Sequence, residues 1–369
     1  MRVAVLGGGS GGHAAAADLT LGGHAVRFWR RSDEGLGELR AAGGITLEAD
    51  GRRGKAEPAL VTADLGEAVA GADAIVVPLP APTHEDLARR LAPHLTERQV
   101  VLLTPGTFGS YVMARAVERA GGRLPFAFAE TGTLPYLART TGPAAVKAPV
   151  RAANLPAGVL PASRSKETLA RVAELFSAAR PCADVLDAAL TNAGAVIHPP
   201  LVLVNAAAID RGRFDIHAAG TTSSARRLID AVDAERVAAR QGWGYAAPHY
   251  ELATYYDEAR AAEGLYGTGA RAKVVQSGLW SETITFEHRY VQEDAALGLS
   301  LLESAARTVS VDSPATSGLL LVFGVLLGRT LAGRGRDLAH LGLGDLLLRE
   351  VRALLYDGWQ SPYWGRVLR

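Results

Sequence analysis

Cysteine is almost absent from this chain, and lysine and methionine are scarce. The one cysteine, Cys182, cannot form an internal disulfide, so the sequence fits a reducing compartment and we expect a cytoplasmic protein. Its neighbours Pro181 and Ala183 favour an incidental thiol over a nucleophile. The first apolar stretch is predicted to be a strand rather than a secretory leader.

Long apolar runs are also missing. The most apolar segment of the second half, residues 318–331, is too short to span a bilayer, so no membrane partner is expected. We predict a buried helix there. The alternative is that this helix forms a subunit interface, which implies a homodimer.

An excess of charge of either sign is lacking as well. Lys and Arg number 39 against 38 Asp and Glu, the formal net charge is +1, and no basic run stands out. A nucleic-acid partner is therefore not expected, because phosphate backbones select concentrated positive charge. The 369 residues, 48% of them hydrophobic, suffice for two cores, and we predict domains at residues 1–185 and 186–369.

What the sequence does contain is a glycine-rich turn at its start. An apolar strand leads into Gly7, Gly9 and Gly12, which fit the G-x-G-x-x-G pattern of a dinucleotide-binding turn. Gly7 permits the tight turn, Gly9 lets the backbone approach a diphosphate, and Gly12 lets the next helix pack on the strand. A helix is predicted from about Gly11 to Thr20, with its free N–H groups aimed at the phosphates, and Ser10 and Gly11 are assigned to the cofactor site. The alternative is a turn whose glycines serve packing alone.

The end of the second predicted strand, residues 24–29, bears on the choice of cofactor. NAD sites usually place an acidic residue there to bind ribose hydroxyls, but this chain continues with Arg30, Arg31 and Ser32. Two guanidinium groups and a hydroxyl suit a 2′-phosphate, so NADP(H) is favoured over NAD(H). In the alternative, one arginine stacks on adenine or faces solvent, and Asp33 binds the ribose.

The rest of the first half alternates apolar runs with helical stretches, a pattern that predicts a doubly wound parallel α/β sheet of the Rossmann type. Pro80 and Thr104 lie in loops after two near-continuous apolar strands. Ligands bind at such strand ends, so both residues are assigned to the cofactor site. Glu130, after a later strand, either approaches the nicotinamide or caps the following turn. The remaining elements predicted for this half are a strand at residues 126–131, a strand pair within 146–160 and a last helix at 167–179.

The second half is predicted to be almost wholly helical. Within it, His198 precedes Pro199 and Pro200, so we expect a helix break that lets the imidazole project into a cleft between the domains. A lone histidine of this kind is, by itself, more often a core residue that bonds a carbonyl.

Four segments together resemble the opine dehydrogenase family. They are GGGSGG at residues 7–12, NAGAVIHPP at 192–200, LIDAVDAER at 228–236 and RYVQEDAALGL at 289–299. The resemblance covers nearly the whole chain and implies a nucleotide domain followed by an all-α substrate domain. It also implies a reaction in which an amino acid condenses with an α-keto acid and NADH or NADPH reduces the resulting imine.

Residue by residue, the resemblance assigns the family's catalytic histidine to His198 and its aspartate partner to Asp294. A buried carboxylate would fix the imidazole tautomer and stabilise its protonated form, which can give a proton to substrate. The alternative for Asp294 is bonding backbone amides at a helix N-terminus. The resemblance also implies that residues 221–227 lie near the amino-acid site. The arginines considered for substrate carboxylates are Arg139, Arg226, Arg227 and Arg289.

Two other functions fit parts of the sequence. A ketopantoate-reductase-like or glycerol-3-phosphate-dehydrogenase-like enzyme would reduce an imine or ketone without condensing an amine, and its relatives commonly use a lysine as the acid. Beyond residue 150 the chain has only Lys166 and Lys273, neither in a recognisable motif. A nucleotide sensor without turnover would need the fold alone, and a joint presence of His198 and Asp294 argues against it. No metal site is predicted.

Overall fold

Short apolar segments form the strands of the first of two structural units, Met1–Val185, and helices alternate with them. This computed structural model describes residues 1–33, 35–212 and 214–368, without the side chain of Glu282. The strands of this unit are β1 (Arg2–Leu6), β2 (Ala25–Trp29), β3 (Ile45–Ala49), β4 (Arg52–Ala56), β5 (Leu60–Thr62), β6 (Ala74–Val77), β7 (Val100–Leu103), β8 (Ala127–Thr131), β9 (Tyr136–Gly142), β10 (Ala145–Arg151), β11 (Leu155–Leu160) and β12 (Ala179–Pro181). The helices are α1 (Ser10–Leu21), α2 (Leu36–Ala41), α3 (Leu65–Val69), α4 (His84–Leu91), α5 (Gly109–Arg119) and α6 (Ser165–Leu175), and α7 (Val185–Ala189) begins at its last residue.

Eight strands form one sheet in the order β12-β11-β8-β7-β6-β1-β2-β5. Adjacent strands are parallel except β8 and β11, which confirms the predicted doubly wound sheet. Strands β6 and β7 are buried along their whole length, as expected where helices cover both faces. The strand order turns back between β6 and β1. Open α/β sheets bind ligands beyond the carboxyl ends of the strands at such a switch point.

A second sheet, in the order β4-β3-β10-β9, is absent from the sequence prediction. Its β3–β4 hairpin turns at Asp50 and Gly51, and Gly51 has a φ of 72°. An Asp-Gly pair after an alternating apolar run is a hairpin signal that could have revealed it. The two strands predicted within residues 146–160 both form, but β10 joins this small sheet and β11 the large one. The predicted helix at 167–179 is too long, because Ala179 already pairs with β11 as the start of β12.

In the described part of the second unit, Leu186–Arg369, the regular elements are helices apart from the short ladder of β13 (Phe214–Asp215) with β14 (Ser281–Glu282), and turns and loops connect them. This confirms the predicted all-α domain. A π-helix at Tyr290–Leu299 packs against α8, α13 and α14. The α-helices are α8 (Ala193–Val204), α9 (Ala206–Asp210), α10 (Ser223–Gly242), α11 (Ala253–Tyr256), α12 (Ala270–Ser277), α13 (Ser300–Thr308), α14 (Pro314–Leu326), α15 (Leu348–Asp357) and α16 (Trp364–Val367).

The predicted helix break at His198 is wrong, because α8 runs through Pro199 and Pro200 without interruption. Each proline removes one backbone N–H, which deprives a carbonyl one turn earlier of its usual donor. Asn192 offsets part of this cost by capping the helix start, where its Oδ1 accepts from the Gly194 N–H at 2.9 Å. Packing of α8 on the π-helix and on α10 supplies the remaining stabilisation.

The helix predicted to be buried at residues 318–331 is α14, and it is buried on one face only. Leu319, Leu320 and Phe323 are in the core, whereas Leu321 is 66% and Val325 81% exposed. The helix has apolar side chains of its own on every face, but neighbouring elements cover only one face. The prediction of a buried helix is therefore wrong for the exposed face. None of the described helices has both the length and the apolar character that a bilayer crossing requires.

Candidate functional site

The glycines of the nucleotide turn differ in the space around them. Gly7 has a φ of 148°, which disfavours any residue with a side chain. A Cβ on Gly12 would lie 1.7 Å from the Gly7 carbonyl oxygen, so only glycine lets α1 start here. A Cβ on Gly9 would meet nothing within 4 Å. The protein itself therefore does not need glycine at position 9, but a ligand that approaches the backbone there would.

The start of α1 offers free N–H groups. Gly9 is its N-cap and supplies no capping side chain, and the first turn contains no acidic residue. The first intrahelical bond runs from the His13 N–H to the Gly9 carbonyl at 3.0 Å, so the N–H groups of Ser10, Gly11 and Gly12 precede the helical ladder. The Ser10 hydroxyl is held by the Thr140 N–H at 3.0 Å. This arrangement fits a diphosphate.

Next to the turn, the end of β2 forms one wall of a pocket. Gly7, Trp29, Arg30, Arg31 and Ser32 line it. The Arg30 side chain crosses the turn so closely that a Cβ on Gly8 would lie 2.6 Å from its Nε, whereas Arg31 and Ser32 are exposed.

The opposite wall of this pocket comes from α4. Arg90 lies with its guanidinium carbon 5.3 Å from the centroid of the Trp29 ring, a cation–π contact. Sequence reasoning missed Arg90, because it sits in an ordinary amphipathic helix some distance along the chain from the glycine turn. A third arginine thus lines the pocket in which the adenosine end of a dinucleotide is expected.

The two predicted loop residues occupy different environments. Pro80 is exposed at the start of a short 3₁₀ turn. Leu79, the residue before Pro80, accepts a hydrogen bond at its carbonyl from His84 Nε2 at 2.9 Å. Thr104 is buried, and its N–H donates to the Val77 carbonyl at 3.1 Å. A side-chain bond to the Leu79 carbonyl and a backbone bond of Thr104 therefore hold the loops at the carboxyl ends of β6 and β7.

Glu130 has two hydrogen-bond partners that sequence reasoning did not predict. Its carboxylate accepts from the Phe108 N–H at 2.6 Å and the Ser110 N–H at 2.8 Å, at the start of α5. It is completely buried, and a Cβ on Gly106 would lie 2.3 Å from its Cδ. Glu130 thus caps a helix that precedes it in the chain, because parallel β7 and β8 bring their ends together.

In the second unit, the two residues singled out by the sequence form a hydrogen-bonded pair. His198 Nδ1, on α8, lies 2.7 Å from Asp294 Oδ2, on the π-helix, and the two side chains are 13% and 2% exposed. A Cβ on Gly194 would lie 2.6 Å from Asp294 Oδ1, so glycine is required for the carboxylate to approach α8. The structure gives Asp294 this imidazole as its partner rather than helix N-terminal amides.

The electrostatics of the pair follow from burial. Burial raises the pKa of Asp294 to about 6, and the nearby Arg289 and His288 charges oppose that rise. Burial also disfavours the charge of Arg289, but Glu293 and Asp294 outweigh it and raise the guanidinium pKa above its usual value. Arg289 Nε is 3.2 Å from Glu293 Oε2. A permanent cation therefore stands beside the His198–Asp294 pair.

Aromatic rings complete this site. The Tyr290 ring stacks on the His198 ring with centroids 3.7 Å apart and an angle of 16° between planes. The Tyr290 hydroxyl lies 3.1 Å from His217 Nε2. The His217 ring in turn makes an edge-to-face contact with the Trp280 ring, with centroids 6.5 Å apart. Sequence reasoning missed His217, for which no motif exists, and it quoted Tyr290 without giving it a role.

Of the three arginines of the second unit that were considered for substrate carboxylates, Arg289 lies against the pair. Arg139 is on β9 of the first unit, and Arg227 is exposed with its Nη2 3.1 Å from the Ser224 hydroxyl. Arg226 lies over the Tyr256 ring. Within the described residues, no group of three or more His, Cys, Asp or Glu side chains could hold a metal ion.

Comparison with known proteins matches both halves of the chain. Residues 181–327 match the family described as NAD/NADP octopine/nopaline dehydrogenase, alpha-helical domain. Residues 2–113 match the NAD-dependent glycerol-3-phosphate dehydrogenase N-terminus. An opine dehydrogenase from Arthrobacter sp. (strain 1C) is 31% identical over 357 residues, which cover 95% of this chain and 97% of that protein.

Two solved structures share the fold. Octopine dehydrogenase in complex with NADH and agmatine superimposes with a TM-score of 0.69 at 18% identity, over 95% of this chain and 97% of that one. Yersinopine dehydrogenase with bound NADP+ gives a TM-score of 0.64 at 13% identity, over 98% and 99% of the two chains. One relative is bound to NADH and the other to NADP+. The shared fold therefore does not decide between NAD and NADP, and the residues that line the pocket must be considered instead.

Proposed function

Because this chain belongs to the opine dehydrogenase family and is an NAD(P)-dependent oxidoreductase acting on CH–NH bonds, we propose that it condenses an amino acid or another amine with an α-keto acid and reduces the imine. The observation that carries this proposal is the 2.7 Å contact between His198 Nδ1 and Asp294 Oδ2. A buried carboxylate against one ring nitrogen leaves the other, Nε2, to carry the proton that the reaction needs.

A reduced nicotinamide dinucleotide, held by the N–H groups at the start of α1 and by the pocket wall with Arg30 and Arg31, would supply a hydride. His198 protonates the keto oxygen as the amine attacks, takes back the proton that the new C–N bond displaces from nitrogen, and then protonates the hydroxyl that leaves as water. The carbon of the resulting C=N–H⁺ group accepts the hydride, so one proton is consumed for each secondary amine formed. Asp294 holds the imidazole in orientation, and the Tyr290 ring limits its rotation. Arg289 is our choice for the carboxylate next to the reacting carbon.

The test follows oxidation of NADPH with a panel of α-keto acids, each with and without amino acids. Amine-dependent oxidation supports the proposal. Oxidation without an amine indicates a ketone reductase, and binding without oxidation indicates a sensor. His198→Asn is expected to lower turnover by roughly 100- to 10,000-fold while NADPH affinity stays near that of the parent. Turnover at the parent rate would show that His198 is not the acid.

The proposed preference for NADP(H) rests on Arg30, Arg31 and Ser32 at the pocket wall. Arg31→Ala should weaken NADPH binding by about tenfold or more and leave NADH binding within about twofold, because a charge-assisted bond to the 2′-phosphate is lost. Arg53→Ala, which removes a charge from an exposed side chain of β4, is the matched control. Equal weakening of both cofactors would favour stacking on adenine instead.

The cytoplasmic location and the homodimer stay predictions. The single cysteine supports the first, and the exposed apolar face of α14 supports the second. Sedimentation at several protein concentrations tests the homodimer directly.

A further inference from the structure

Two arginines of the second unit lie over one tyrosine ring. The guanidinium carbon of Arg226, on α10, is 3.6 Å from the centroid of the Tyr256 ring, and that of Arg271, on α12, is 5.8 Å away. The Nε atoms of both arginines are buried and have no hydrogen-bond partner among the described residues. Burying such a donor without an acceptor is costly, so a ligand that supplies one is favoured here.

Little negative charge opposes this pair. Arg226 has Asp230 as an ion-pair partner at 3.9 Å, and the Asp230 side chain is 51% exposed. No ion pair of Arg271 occurs in the part of the chain that the structure describes. The two arginines are the fourth and second residues of their helices, where the helix dipole disfavours a cation. Two partly desolvated cations thus share a region that favours an anion.

This arginine pair belongs to the same neighbourhood as the His198–Asp294 site. Tyr255 packs edge-on against Tyr256 with ring centroids 5.2 Å apart. The start of α10 is also tied to this site, because the Thr221 hydroxyl donates to the His217 carbonyl at 2.9 Å and the His217 ring centroid lies 5.7 Å from that of His198. The helix that carries Arg226 therefore begins beside the residues that surround the imidazole.

We propose that Arg226 and Arg271 bind a substrate carboxylate remote from the reacting carbon, so that one of the two substrates is a dicarboxylate. This inference rests on the proposed function and adds a substrate class to it. Arg289 serves the carboxylate beside the reacting carbon, and the second carboxylate accepts the Nη–H bonds of the arginine pair. The Tyr256 ring holds both guanidinium groups in place, which lowers the entropy lost on binding.

The second carboxylate can come from the keto acid or from the amine, and matched substrates separate these sources. One arm compares 2-oxoglutarate with 2-oxopentanoate, which has the same chain length without the distal carboxylate, in the presence of one amine. The other compares glutamate with norvaline in the presence of one keto acid. We expect kcat/KM to favour the dicarboxylate by about tenfold to 100-fold in one of the two arms.

Arg226→Gln and Arg271→Gln should abolish that preference. The kcat/KM for the dicarboxylate falls by about tenfold or more in each variant, mainly through KM, while that for the monocarboxylate stays within about twofold. Arg349→Gln, which removes the same charge from an exposed position of α15, should change neither. Absence of a preference in the parent enzyme, or equal losses for both substrates in the variants, would overturn the proposal.

A measurement without turnover keeps this test separate from the proposed function. The dicarboxylate favoured by the parent, or each of the two in turn if no turnover is found, is added while thermal unfolding is followed. It should raise the unfolding midpoint of the parent and of Arg349→Gln, but not that of Arg271→Gln. A shift without turnover under any condition would refute the proposed reaction and support the anion site. Equal shifts in parent and Arg271→Gln would refute the anion site.

Discussion

The nucleotide turn of the first unit offers a ligand its backbone, whereas the site of the second unit offers side chains. In the turn, Gly7, Gly9 and Gly12 matter by having no side chain, and three consecutive N–H groups are proposed to bind the phosphates. In the second unit, His198 and Asp294 are 96 residues apart in the chain and are proposed to act through charge and proton transfer. The nucleotide turn is formed by residues that are adjacent in the sequence, whereas the His198–Asp294 site depends on how helices pack. Each can be broken without disturbing the other.

The largest effect is expected from Gly12→Ala. Its Cβ would lie 1.7 Å from the Gly7 carbonyl oxygen, so α1 must move, at a cost of about 3 kcal/mol or more. NADPH titration and thermal unfolding should both show severe losses. Gly9→Ala is the matched contrast: its Cβ meets nothing, so stability should match the parent while NADPH binding weakens. Parent-like affinity in Gly9→Ala would mean that no phosphate approaches that residue.

Asp294→Asn tests the side-chain site alone. The amide keeps a hydrogen bond to His198 but cannot neutralise the imidazolium, so kcat/KM should fall by roughly 100-fold. NADPH affinity and the unfolding midpoint should stay near those of the parent. Glu287→Gln removes an exposed carboxylate seven residues earlier and serves as the control. A parallel loss of cofactor affinity would instead make Asp294 a support of the fold.

Acidic pH should reproduce part of that loss reversibly. Burial raises the pKa of Asp294 to about 6, so between pH 7 and pH 5 the carboxylate takes up a proton and kcat/KM should fall by about tenfold. The sign of the effect on stability is opposite: a carboxyl whose pKa is raised by folding stabilises the folded state as the pH falls through 6. Unfolding midpoints measured at the same pH values therefore separate loss of rate from loss of structure.

The smallest effect is expected from Tyr290→Phe. The ring that stacks on His198 remains, and the hydroxyl contact with His217 is lost. We expect turnover within about threefold of the parent and a stability loss of about 1 kcal/mol. A loss as large as that of Asp294→Asn would mean that the hydroxyl takes part in proton transfer, so the site would extend to His217.

The parts of the molecule that short-range sequence patterns describe were predictable. The parallel sheet follows from continuous apolar runs, and the glycine turn from the steric needs of a strand that meets a helix. The β3–β4 hairpin carried an Asp-Gly signal and was overlooked. The break at His198 was expected from proline chemistry, but tertiary packing of α8 overrides that local preference.

The candidate site of the second unit was predictable only through the resemblance of its segments to a known family. Nothing in composition or spacing joins residue 198 to residue 294, because the contact depends on the packing of α8 against a π-helix. Arg90 and His217 had no local signal at all. Glu130 was noticed as an acid that follows a strand, but its partners at the start of α5 follow from strand pairing, which a single sequence does not reveal.

Gly194 limits which substitutions the His198–Asp294 site can accept during evolution. The gap between two polypeptide segments is governed here by a residue with no functional group, since even a methyl group would collide with the carboxyl oxygen of Asp294. Substitutions among the surrounding polar residues can alter which molecules are processed. A substitution at position 194 would instead pull the acid away from its imidazole, and a survey restricted to reactive side chains would overlook the cause.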